Sequence, residues 1–212
     1  MMDAPSGQRR WQRRKDARPQ EILDAALSLF AEKGFAATRM DDIASRAGVT
    51  KGTIYLYFQS KEEVFKSLVR ESIGTTLSSV IENAGAFEGS ARALLKLVLR
   101  TVGRFMLTSD RIVLPKIVLA EAGNFPELVR FYRSEIIEKG LALLSSVFAR
   151  GIASGEFRSD VKPEHAARLA IAPVLLAALW RTTFAPLEAE PYDLEGLIEA
   201  HLAVFLKGLE AA

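Results

Sequence analysis

Residues 38–61 read TRMDDIASRAGVTKGTIYLYFQSK, and this stretch decides how the N-terminal part of the chain folds. Thr38-Arg39-Met40-Asp41 has the pattern of a capping box in its acidic form, with Thr38 as the N-cap of a short helix that Gly48 ends. A second short helix starts near Thr50 and ends by Phe58. The Ala47-Gly48-Val49-Thr50 junction carries the glycine that lets two helices meet at a steep angle. Ile43, Ala44, Val49 and Ile54 are spaced to face inward. Lys51, Thr53, Tyr55 and Tyr57 are left outside: one ammonium, one small hydroxyl and two phenols, side chains suited to phosphates and base edges. Gly52, without a side chain, lets the backbone approach a phosphate closely. The pattern is a helix-turn-helix whose second helix suits a DNA major groove.

Outward from this stretch the pattern stays helical. Upstream, Ile22, Ala25, Ala26, Leu29 and Phe30 form one apolar stripe, predicting a helix from about Arg18 to Lys33 that Gly34 stops. Downstream, Ser60-Lys61-Glu62-Glu63 caps a fourth helix with apolar positions Val64, Phe65, Leu68 and Val69. Before the first helix, residues 9–18 hold six basic side chains and one acid, although the chain's net charge is only +2. A local basic arm on a near-neutral body suits an anionic partner touched at one end, and it also suits a solvated tail. Trp11 within it is a stacking residue or an exposed apolar one, and the tail is the favoured reading.

The segment resembles the DNA-binding domain of TetR-type transcriptional regulators. The matching residues are Phe30, Gly34, Thr38, Asp42-Ile43-Ala44, Ala47-Gly48-Val49, Lys51-Gly52-Thr53-Ile54-Tyr55, Tyr57-Phe58 and Ser60-Lys61-Glu62, within about residues 18–68. The resemblance implies that Thr38 and Lys61 hold phosphates from helix ends. It implies that Lys51, Thr53, Tyr55 and Tyr57 touch bases or backbone, and that Thr50 and Leu56 contribute to sequence choice. Arg39 is a further candidate base or phosphate contact. Packing between helices is the alternative for each tyrosine, and Tyr55 can do both. For Lys61 the alternative is a surface charge at a helix start. A weaker likeness to a helix junction of one subgroup lies in residues 120–128, AEAGNFPEL.

Beyond Asn83 the predicted helices lengthen: about 89–108, 110–122, one from Asn124-Phe125-Pro126-Glu127 to about Ser154, about 163–184, and about 193–209. No stretch shows the sustained alternation of a strand. The expected fold is all-α with about nine helices: a flexible basic arm (1–17), a three-helix helix-turn-helix DNA-binding domain (18–62), and a larger helical ligand-binding and dimerisation domain (63–212). Pro173 should kink or end the helix that holds it.

One helix-turn-helix reads one half-site, and useful specificity needs two, about 34–36 Å apart or a multiple of that. A homodimer on double-stranded DNA carrying an inverted-repeat operator is therefore expected. The last two helices offer the candidate interface: Ala170 and Ala177 with other alanines for close approach, and Leu194, Leu197, Ile198, His201, Leu202 and Phe205 as a stripe. An ordinary intrachain core is the alternative. His201 is a pH-sensitive interface residue or, more commonly for such a position, a hydrogen-bonded core histidine. TetR-type regulators bind a small inducer among their middle helices. The candidate lining here is Phe105, Met106, Ile117, Glu121, Asn124, Phe125, Tyr132, Trp180 and Phe184, with core packing as the alternative for each. An apolar or aromatic small-molecule effector follows, and release of a repressor from its operator is the family's default.

Composition narrows the field further. Cysteine is absent, which excludes disulfides, thiolate metal sites and a cysteine nucleophile, and suits a cytoplasmic protein. Two histidines leave little for a metal centre, and no metal or cofactor is expected. The longest uncharged apolar run has twelve residues, Leu169 to Trp180, where spanning a bilayer needs about 20, so no membrane segment is expected. An enzyme on a helical bundle finds no nucleophile–base pair, metal motif or cofactor fingerprint in its favour. A non-specific DNA binder does not need a well-formed helix-turn-helix.

Overall fold

A computed structural model describes residues 6–210, with side chains described from Arg18 onward except that of Leu107. Its α-helices are α1 Ser6–Ala37, α2 Met40–Arg46, α3 Lys51–Tyr57, α4 Lys61–Val69, α5 Thr75–Gly85, α6 Ala91–Thr108, α7 Val113–Ala120, α8 Pro126–Tyr132, α9 Glu138–Ala153, α10 Pro163–Thr183 and α11 Leu194–Gly208. π turns at Arg70–Gly74 and Arg133–Ile137 join α4 to α5 and α8 to α9 without a break. Among the described residues this makes nine continuous helical rods, and the all-α expectation holds.

Two compact units divide the chain. The first comprises Met1–Glu71 with Val113–Val129, hence α1–α4, α7 and the start of α8; the second comprises Ser72–Ile112 with Arg130–Ala212. This division differs from the contiguous one expected from the sequence. The head runs past residue 62 to Glu71, and a 17-residue excursion of the chain returns to it.

In the first unit, the apolar stripe of α1 is buried as its spacing predicts: Ile22, Ala25, Ala26, Leu29 and Phe30 are all core. The α1 backbone already begins at Ser6, where a flexible arm was expected; the side chains of that arm, Trp11 included, lie outside the described residues. Gly34, at φ +81°, breaks the helix where the sequence placed its stop. Val64, Phe65, Leu68 and Val69 of α4 close the core from below.

The second unit is built on burial along long helices. Leu95, Leu99, Phe148, Phe157, Ala167, Ala170, Val174, Ile198 and Leu202 form one core shared by α6, α9, α10 and α11. Gly103 shows how closely α6 and α11 approach: a Cβ there would lie 2.6 Å from Ile198 Cδ1. The carboxylate of Glu156 caps α6 by accepting the Ala91 and Arg92 amides at 2.9 and 3.0 Å. Pro173 neither ends nor splits α10, which runs through it. By length and composition alone α10 is apolar enough to cross a membrane, which the run of twelve did not suggest. A third of that window is buried in the protein's own core, on the face of Ala166, Ala167, Ala170, Val174, Ala177 and Ala178.

Candidate nucleic-acid interface

The α2–turn–α3 unit forms as its sequence requires, with local differences that matter. Ile43, Ala44 and Ile54 are buried, and Val49 is half-buried. Gly48 sits at φ +65°; a Cβ there meets nothing within 4 Å, so the left-handed backbone and not crowding is what favours glycine. Val49 N–H closes the turn by donating to Ala44 O at 3.0 Å.

The cap of α2 lies one residue later than expected. Arg39 is the N-cap, and its N–H donates to Asp42 Oδ2 at 2.9 Å. Thr38 cannot play that part because its hydroxyl turns back to donate to Gly34 O at 2.7 Å. At 1% exposure, Thr38 presents no donor to a phosphate, contrary to the role implied for it. Asp42 also takes Lys33 Nζ at 2.6 Å, and the bond from Lys33, followed by that from Arg39, holds its carboxyl below the usual range. At the other end, Arg46 grips Glu32 through two bonds of 2.7 Å each, joining α2 to α1.

On α3 the outward face matches expectation. Leu56 is 83% and Tyr55 44% exposed; Lys51 and Gly52 are also exposed, while Thr53 and Tyr57 are half-buried. Thr50 caps the helix by accepting the Thr53 N–H at 3.2 Å, and the two hydroxyls lie 2.8 Å apart. Lys51 Nζ donates to Asp41 Oδ2 at 3.0 Å, which raises its affinity for the proton. Both groups are well exposed, so the pair can open toward a phosphate at little cost.

Lys61 is half-buried and turned back onto the end of α1. Its ammonium donates to Phe35 O at 2.6 Å and Ala36 O at 3.2 Å, and lies 4.4 Å from the Phe35 ring centroid. Burial pulls it below the ordinary lysine range. Here the role of phosphate holder implied for Lys61 meets a side chain already committed to backbone carbonyls. Its neighbour Ser60 caps α4 as the sequence predicts, accepting the Glu63 amide at 3.2 Å.

Of the candidate effector residues, Ile117, Glu121, Asn124 and Phe125 belong to the first unit, and Phe105, Met106, Tyr132, Trp180 and Phe184 to the second. Glu121 Oε1 accepts the Ala36 N–H at 3.2 Å, Glu121 Oε2 accepts from Asn124 Nδ2 at 3.1 Å, and Phe125 meets Phe35 edge-on at 5.0 Å. This trio is structural material of the head. Helix α8 starts at Pro126, two residues after Asn124. In the second unit, Tyr132 is buried, which pushes its phenol well above the usual range. Trp180 stacks on Phe184 at 4.7 Å with both rings partly exposed, and its indole N–H donates to Glu188 at 2.7 Å. Arg181 Nε is buried without a hydrogen-bond partner, its Nη2 lying 3.5 Å from Met106 O. A cleft of about 620 Å³ lies elsewhere in this unit, lined by Ile81, Ala84, Leu94, Leu143 and Val147, with Lys139 and Arg150 at its edge.

Most candidate interface residues instead serve the chain's own core. Ala170, Ala177, Leu194, Ile198 and Leu202 are buried within it, and Phe205 packs edge-on against Phe148 at 6.0 Å. His201 bonds Ala170 O at 2.9 Å as a core histidine does. Only Leu197 of that stripe is exposed. Exposed large apolar side chains are Leu169, Leu176 and Trp180 on α10, Phe184 just after it, and Leu197 and Val204 on α11. Periodicity alone does not choose between the two faces, because α10 and α11 are apolar on both.

Residues 22–68 match the model of bacterial regulatory proteins of the tetR family, and residues 88–194 match that of the tetracyclin repressor-like C-terminal domain. The chain belongs to the TetR family. It is 29% identical over 197 residues to the fatty acid metabolism regulator protein of Bacillus subtilis, covering 92% of this chain and 98% of that one. It is 32% identical over 167 residues to the transcriptional repressor KstR2 of Rhodococcus jostii, covering 78% and 80%. The crystal structure of FadR from B. subtilis in complex with stearoyl-CoA superposes with a TM-score of 0.76 at 26% identity, over 90% of this chain and 99% of that one. This TetR-family protein is accordingly a DNA-binding transcriptional regulator and not an enzyme. Sequence reasoning missed Asp42, Glu121 and Phe35 as its fixing points. The one available signal was the AEAGNFPEL likeness, which carries no role by itself.

Proposed function

We propose that this protein is a homodimeric repressor of the bacterial cytoplasm that binds an inverted-repeat operator and leaves it when a long-chain acyl thioester binds. The observation that carries the dimer is the uncovered face of α10 and α11, where Leu176 is 61% and Val204 75% exposed. Several large apolar side chains left exposed on two helices that pack together suit an interaction surface, and a second copy offers the same surface in return. Lys51, Thr53, Tyr55, Leu56 and Tyr57 of α3 read the major groove, with Arg39, Thr50 and Gly52 beside the backbone. Each reading head then takes one half-site.

For the effector, support comes from two sides. A relative similar over almost its whole length has been crystallised with stearoyl-CoA. The cleft of the second unit has an apolar wall of leucine, isoleucine and valine, the chemistry of a fatty tail; of the two cations among its lining, Arg150 is held by Phe87 O and Gly89 O, while exposed Lys139, paired with Glu135, can turn to an anionic head. Purified protein incubated with sheared genomic DNA should retain one inverted repeat. Uniform retention of fragments would refute site-specific reading. Stearoyl-CoA added to that complex should release the DNA while free coenzyme A does not. Insensitivity to the thioester would remove the effector class and leave the regulator standing.

A further inference from the structure

We infer that the turn after α7 is a working part of the reading head: Glu121 and Phe125 are positioning residues that fix Lys61 against the end of α1, and Lys61 serves DNA binding through that fixed geometry and not as a phosphate ligand.

The linker at residues 34–38 carries α1 into α2 and so aims the helix-turn-helix. Three side chains hold it. Thr38 hydroxyl donates back to Gly34 O at 2.7 Å. Lys61 Nζ donates to Phe35 O and Ala36 O. Glu121 Oε1 accepts the Ala36 N–H at 3.2 Å. Ala36 is thus pinned at both of its backbone polar groups, the carbonyl by Lys61 and the amide by Glu121. Between those two charged side chains sit the rings of Phe35 and Phe125, in edge contact at 5.0 Å, with the ammonium 4.4 and 5.7 Å from their centroids. Phe35 is fully buried and also touches Phe30 and Phe65, so the linker is keyed into the head's core.

An ammonium has three donors, and two are spent here on carbonyls in a partly buried, ring-lined site. Charged hydrogen bonds of this kind are the stronger ones. Drawing Lys61 out to a phosphate would give up its bond to the partly buried carbonyl of Phe35 as well as that to Ala36, and would remove the cation facing both rings. Lys51, exposed and held by one exposed carboxylate, has no such debt and is the better phosphate ligand. The inference rests on the DNA-reading assignment of α3, which the wild-type protein's binding to its operator checks separately.

The experiment is a salt titration of operator affinity for full-length wild type, Lys61→Met, Glu121→Gln, the double variant and Lys51→Met. Lys51→Met should lower the slope of log affinity against log salt by about 0.9, as one lost phosphate contact does. Lys61→Met and Glu121→Gln should each weaken binding about tenfold, as loss of a charge-assisted bond does, with the slope unchanged. The double variant should be no more than marginally worse than either single one, because both act on Ala36. Hydrogen exchange at the Ala36 amide should quicken in Glu121→Gln while core amides of α1 stay protected, a readout that survives modest loss of stability. A slope reduced by about 0.9 in Lys61→Met, additive with Glu121→Gln, would make Lys61 a phosphate ligand and overturn the inference. Unchanged affinity in both single variants would overturn it equally.

Discussion

The head's α2 and α3 are seven residues each, whereas α10 of the second unit has 21 and α11 has 15. A seven-residue helix in water is unstable by itself, because nucleation is costly and few bonds follow. The head therefore ties its short helices down with side chains: Asp42 and Thr50 as caps, Arg46–Glu32, Lys33–Asp42 and Lys51–Asp41 as ties between elements. The long helices of the second unit form around a shared apolar core and leave a second apolar face uncovered. The difference teaches where each region is vulnerable. Polar ties set the aim of the reading helix, and burial sets the existence of the second unit.

The comparison predicts its largest effect in the core of the second unit. Phe148 is fully buried and touches Phe157 and Phe205. Phe148→Ala should cost about 3–5 kcal/mol in denaturant unfolding. A loss below about 1 kcal/mol would mean that this unit does not depend on its core as argued. Next comes Leu176→Glu on the uncovered face. Thermal stability should change little, since the side chain is exposed, while sedimentation should show monomer and operator affinity should fall by about a hundredfold or more. A dimer that persists through Leu176→Glu and Val204→Glu together would place the interface elsewhere.

Much of the head was legible before the structure. Ser60 before an acid three residues on, Gly48 between two short apolar-patterned helices, and the stripe of Ile22 to Phe30 each state their local geometry, because caps, left-handed turns and helical faces are set by neighbours in sequence. Thr38 and Lys61 are the positions whose orientation the sequence left open. Both stand at helix ends, where a hydroxyl or ammonium can reach outward or back to a carbonyl, and spacing does not choose between them. Thr38 turns back to Gly34 O, and Lys61 turns to Phe35 O and Ala36 O beside the ring of Phe125, more than fifty residues away in sequence. Leu194, Ile198 and Leu202 fall to the same difficulty: one stripe suits a core or an interface equally, and only the position of Gly103 on α6 decides that Ile198 points home.

The smallest expected effect is the most direct probe of the head's polar ties. Arg46, then Ser28, donate to the Glu32 carboxylate and hold its pKa at about 2, against an ordinary value of 4.5. Because the folded value is the lower one, the ionised pair contributes its full stability above about pH 4.5, where the unfolded chain's glutamate is also ionised, and loses it as pH falls toward about 2. The pair is exposed, so its contribution is modest and shrinks with salt. Glu32→Gln should lower the melting temperature slightly at neutral pH, and by less at each step down from pH 4.5, until the variant and the wild type coincide near pH 2. Operator affinity at low salt should also weaken slightly, because Arg46 is the last residue of α2 and its bidentate grip fixes where that helix ends relative to α1. A variant whose melting curve parallels the wild type at every pH would show that the tie is decorative. The head's short helices would then rest on their caps, the Lys33–Asp42 and Lys51–Asp41 pairs and the burial of Ile43, Ala44 and Ile54, and the contrast between the two regions would narrow.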